Sequence, residues 1–200
     1  MRRLVLVLCV VAIGFAATRT AAFPSTIGIY FNLEGYDCDA AIAPQTVFHL
    51  YVIAQPGADL PQGIQGAEFR VDGFDLTWVI FVTPNPFASA AIGDPVHQGS
   101  NIAFYSCQAR DEFGGVLLYT IRVIALQPIA PTVFTVMVHS TPSSPNFQCP
   151  LLVNCSAPVF SKYCANGTTA CINRAQTCCI SAIETSSWGQ VKSLYGAAGR

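Results

Sequence analysis

Three carboxylates crowd around one cysteine in the run Glu34, Asp37, Cys38 and Asp39. Oxygen-rich loops suit hard cations, so calcium is the ion that Glu34, Asp37 and Asp39 would hold. The competing chemistry is glycoside hydrolysis, which needs two carboxyl groups about 5 to 9.5 Å apart across a sugar. Neighbours in sequence do not establish that spacing, and no Asp-x-Asp-x-Asn-Gly loop occurs. His49, His97 and His139 are available for proton transfer, with His97 in the loop Gly93-Asp-Pro-Val-His-Gln-Gly99. A nucleophile needs such a base within reach and a third group to orient it. Neither a Gly-x-Ser-x-Gly elbow nor a His-Glu-x-x-His helix is present, so no catalytic set is assigned. Tyr36 and Tyr105 fall at predicted loops or strand ends, where aromatic rings can stack on a ligand. The candidate binding residues are therefore Tyr36, Asp37, Asp39, His97 and Tyr105, and calcium is the one cofactor left open.

Sulfur carries the second chemistry. Cys9 lies in the N-terminal apolar run, and eight cysteines follow: Cys38, Cys107, Cys149, Cys155, Cys164, Cys171, Cys178 and Cys179. An even set in an exported chain reads as disulfides, with 105 formal pairings and no way to choose among them. The tight Cys-x2-Cys knuckles of zinc sites are absent, which favours disulfides over metal.

Export is read from the leader. Arg2 and Arg3 precede an apolar run over residues 4–17, and Thr20-Ala-Ala22 precedes Phe23-Pro24. This is the layout of a secretory signal peptide over residues 1–22, with an apolar core too short to span a membrane. No later run is long enough for a second span. Without the leader, seven basic residues face eleven acidic ones, a net charge of about −4. No basic patch emerges, which argues against nucleic acid as a partner. Charged residues make up only 10% of the chain, against about 25% in ordinary domains. Such a surface has little self-repulsion, which favours association with a surface or with itself.

These residues must be positioned by strands. Apolar alternation of period two recurs over residues 27–31, 46–54, 66–71, 78–82, 88–92, 101–105, 116–125 and 132–139, bounded by Gly, Pro, Asn and Asp. In "QGAEFRVDGFDLTWVIFVTPNP", residues 65–86, Ala67, Phe69 and Val71 point one way, while Glu68 and Arg70 point to a wet face. Asp72-Gly73 signals a turn. Residues 78–82 are apolar on both faces and read as a buried or central strand, closed by Pro84 and Pro86. The expected fold is mainly β, an antiparallel sandwich of Ig-like or jelly-roll-like type over residues 23–145. The Pro- and Ser-rich segment 140–145 leads into a cysteine-rich β extension, residues 146–185, packed on the sandwich, with short strands expected near 158–162, 168–173 and 178–184. Residues 186–200 carry a capping-box spacing and a Trp188/Val191/Leu194/Tyr195 stripe, the pattern of a short amphipathic helix.

The strand over residues 47–53 followed by Gly66-Ala-Glu-Phe-Arg-Val71, an irregular middle and paired strands at 116–125 and 132–138 resembles cohesin modules and related carbohydrate-binding-type sandwiches over residues 44–140. The resemblance implies a sandwich fold and assigns no binding residue. The segment beyond Cys149 has no counterpart in it. The Trp188-Gly-Gln-Val-Lys-Ser-Leu-Tyr195 tail resembles that of exported bacterial proteins.

The expectation is a secreted, periplasmic or cell-surface binding, adhesion or assembly module, non-catalytic, whose partner is another protein, an extracellular glycan or a surface. A small secreted hydrolase with a loop-built site and a self-associating envelope or matrix subunit are the alternatives.

Overall fold

The computed structural model describes residues 24–75, 77–156, 160–175 and 177–178. The expected leader, the expected C-terminal helix over residues 186–200 and Cys179 lie outside these residues. The described chain is a sandwich of two sheets built from strands β1 (Thr26–Tyr30), β2 (Asp39–Ala40), β3 (Val47–Gln55), β4 (Ile64–Asp72), β5 (Val79–Pro84), β6 (Ala88–Asp94), β7 (Gly99–Gln108), β8 (Val116–Ile124), β9 (Thr132–Met137), β10 (Leu151–Asn154), β11 (Lys162–Cys164), β12 (Asn166–Gly167) and β13 (Thr169–Ile172). One sheet runs β12-β1-β3-β8-β5. The other runs β11-β10-β4-β9-β13-β2, with β7 on the remaining edge of β4 and β6 beyond β7. Pairing is antiparallel except for β1 with β12 and β13 with β2. No helix among the described residues is long and apolar enough to cross a membrane.

The alternating residues close the sandwich as their period requires. Phe69, Val71, Leu118, Tyr119, Ile121, Phe134, Ile27 and Ile29 are buried between the sheets, each of the larger aliphatic and Phe side chains adding about 1.5–3 kcal/mol by leaving water. Phe69 meets Tyr119 edge-on at 5.9 Å across the two layers. At one rim Trp78 joins Phe48, Phe74 and Phe134.

Three readings of the opening stretch change. Asp72-Gly73 does end β4, but the chain then crosses to the opposite sheet rather than folding into a hairpin. A side chain at Gly73 would meet the Val133 carbonyl at 2.1 Å, and its φ is +105°, so the crossing needs glycine. Glu68 is not on a wet face: it is 5% exposed, because β10 pairs alongside it, Leu151 opposite Glu68. And the doubly apolar β5 is not central. Among the described residues it pairs with β8 alone and forms the edge of its sheet.

The cysteine-rich segment is woven into both sheets. β10 pairs with β4, β13 with β9, and β12 with β1. β10 was not foreseen. It lies in Cys149-Pro-Leu-Leu-Val-Asn-Cys155, where it is stapled near both ends by Cys149–Cys164 and Cys107–Cys155. Cys171–Cys178 closes a third bridge, and Cys38 is disulfide-bonded as well.

Candidate functional site

An open trough of about 340 Å³ lies on the outer face of β6-β7-β4-β10-β11. Strand register builds it. Ala90 of β6 lies opposite Ala103 of β7, Ala103 opposite Gly66 of β4, and Gly66 opposite Val153 of β10. Because opposed residues on antiparallel strands share a face, this row of minimal side chains forms a low floor. Ile92, 69% exposed, rises on one side, and Phe160, 53% exposed, on the other. Three strand spacings separate β6 from β10, roughly 14 Å.

Polar groups gather on the β10–β11 side. The buried Glu68 carboxylate accepts the Ser143 backbone N–H at 2.9 Å and, through its other oxygen, the Ser143 hydroxyl. Lys162 Nζ donates to Ser143 Oγ at 2.7 Å. Ser143 is thus a hydroxyl strung between a carboxylate and an ammonium. The Ser143 hydroxyl and backbone N–H both donate to Glu68, so the trio ties the 140–145 segment to β4. Lys162 keeps donors to spare, since an ammonium carries three. Asn101 supplies one further polar side chain to the trough.

The residues singled out from sequence are scattered. Tyr36 and Asp37 sit in a turn tied by their backbone N–H groups to Asn32 Oδ1 at 3.2 and 3.0 Å, with Glu34 half-buried beside them. Asp39, in β2, accepts the Cys178 N–H at 2.8 Å and the Thr177 hydroxyl. Its carboxylate comes within 4.8 Å of the Cys171 and Cys178 sulfurs, which are paired with one another; Glu34 and Asp37 are outside that group. His97 pairs with Asp94 at 2.8 Å in the exposed β6–β7 turn. His49 stacks on Tyr51 on the other sheet, and buried His139 accepts the Thr141 N–H at 3.1 Å. Tyr105, 84% exposed, projects from β7 on the same face as Ala103. It alone of the five binding candidates shares a face with the trough.

Sequence reasoning missed Glu68, Ser143, Phe160 and Lys162, which come from three segments brought together by the pairing of β10 and β11 beside β4. One signal existed: Glu68 is a carboxylate set in an otherwise uncharged run, Gly66-Ala-Glu-Phe69.

No family model matches the chain, and no curated protein matches it. Its fold is similar to that of cohesin modules. A cohesin module from a Clostridium perfringens family 33 glycoside hydrolase is 10% identical with a TM-score of 0.49, over 74% of this chain and 93% of that one. The sixth cohesin of Acetivibrio cellulolyticus scaffoldin B, solved with a dockerin, is 8% identical with a TM-score of 0.48, over 76% and 99%. A non-cellulosomal cohesin from the archaeon Archaeoglobus fulgidus is 10% identical with a TM-score of 0.41, over 77% and 94%. These are likenesses of strand arrangement.

Proposed function

We propose that the protein is a non-catalytic, extracytoplasmic binding module that docks an amphipathic helix of a partner protein in the trough. The observation that carries this reading is the small-residue floor, Ala90, Ala103 and Gly66, between the walls Ile92 and Phe160. A helix with its side chains is about 10–12 Å across, which fits within the roughly 19 Å of four strand spacings from β6 to β11 once the Ile92 and Phe160 walls take their share. Its apolar ridge would settle on the floor, as helix-in-groove pairs do. An acidic residue on the helix would reach the spare donors of Lys162. Glu68 is already spent on Ser143, so the site offers the partner one positive charge and no free negative one.

The test is selection of helical peptides from a displayed amphipathic library against the purified protein, followed by NMR shift mapping. Peptides with an apolar stripe and an acidic residue should perturb Ala103, Ile92 and Lys162. Failure to enrich any binder, or perturbation confined to other surfaces, would refute the reading.

A further inference from the structure

The strand β5 reads from sequence as a central one and stands in the structure at an edge. Its residues Val79-Ile-Phe-Val-Thr-Pro84 carry no charge, and Val79 and Phe81 are 41% and 53% exposed. Among the described residues, β8 alone pairs with it. Natural edge strands are usually protected by a lysine, an inward charge or a bulge. β5 has none of these: its register against β8 is unbroken from Val79 to Pro84. Only Pro84, at its end, limits pairing.

We infer that β5 pairs antiparallel with β5 of a second copy of the chain, joining two sandwiches through one continuous sheet. A two-fold axis perpendicular to the sheet keeps outward residues opposite outward ones. The register with Ile80 on the axis does this and sets Val79 of each copy against Phe81 of the other, an aromatic–aliphatic cross-strand pair of the favourable kind. Electrostatics permit it. The charge beside the middle of β5 is Arg122, opposite Phe81 on β8, with its guanidinium 5.8 Å from the Phe81 ring. In the dimer the two β8 strands would be three spacings apart, roughly 14 Å, beyond the screening length of about 8 Å in physiological salt. The cation lies over the ring rather than against its counterpart. The doubly apolar sequence of β5 then has the environment it implies, a strand paired on both sides. Six-residue pairing covers less than the roughly 800 Å² per partner of standard stable interfaces, so the dimer is concentration-dependent. The inference is independent of the docking reading, since trough and edge belong to opposite sheets. Together they would give a bivalent binder.

Sedimentation velocity on the secreted protein, from low micromolar to near millimolar concentration, tests it. The expected result is a reversible monomer–dimer equilibrium, weakened at least tenfold by Phe81→Lys and by Val79→Lys and unchanged by Ile92→Lys on β6, an edge strand of the opposite sheet. Amide exchange in β5 should slow as concentration rises. A monomer at every concentration, or a dimer indifferent to both β5 substitutions, would overturn the inference. A dimer lost only with Ile92→Lys would move the contact to β6 and overturn it equally.

Discussion

Lys162 and Glu68 are joined through a single hydroxyl: Ser143 Oγ accepts from the lysine at 2.7 Å and donates to the carboxylate. The arrangement predicts an order of stabilities. Ser143→Ala removes one of the two Ser143 donors from a buried carboxylate and should cost about 1–3 kcal/mol. Lys162→Ala removes an exposed ammonium and should cost less than about 1 kcal/mol. Urea denaturation measures both, and equal losses would show that the hydroxyl is not the support of Glu68.

The three described bridges with known partners should differ in weight. They enclose separations of 48, 15 and 7 residues for Cys107–Cys155, Cys149–Cys164 and Cys171–Cys178. Chain entropy gives about 4, 3 and 2 kcal/mol respectively. Paired Cys→Ser variants, compared by equilibrium unfolding, should follow that order. Loss of either of the first two should also loosen the β10–β11 wall of the trough, read as faster amide exchange at Leu151 to Val153.

Two buried tyrosines set an alkaline limit. Burial pushes the phenols of Tyr30 and Tyr119 above their ordinary value of 10.0, and the hydrogen bond Tyr119 shares with the Ser100 hydroxyl offsets part of its rise. A phenol whose pKa is raised on folding contributes stability that is complete below the unfolded value. That contribution is lost as pH climbs from there through the folded value. Stability should therefore begin to fall above about pH 10. Tyr119→Phe should lower stability by about 1 kcal/mol at neutral pH by losing the Ser100 bond, while softening the alkaline decline. Thermal unfolding from pH 7 to 11 checks both signs.

Where one face is buried and the other wet, alternation within a strand was a sufficient guide: Phe69 and Val71 lie in the core as their spacing demanded. It failed where the environment of a strand is supplied from far away in the chain. Glu68 is buried by Leu151 and the Ser143 segment, more than seventy positions downstream, and no local pattern encodes that covering. β5 failed in the opposite sense. Its residues announce burial on both faces, yet among the described residues β8 is its one paired neighbour and Val79 and Phe81 stay exposed. The trough was illegible for a related reason, since its small floor residues, Ala90, Ala103 and Gly66, look unremarkable singly and acquire meaning only when the register aligns them.

The docking of a helix on that floor is the central claim, and Ala103→Arg tests it most directly. Ala103 faces outward on β7, so a long charged side chain there obstructs the trough without entering the core. Binding of a selected amphipathic peptide, titrated by isothermal calorimetry, should weaken at least tenfold while the melting temperature holds and Phe81→Lys leaves affinity intact. Undiminished affinity in Ala103→Arg would contradict the account.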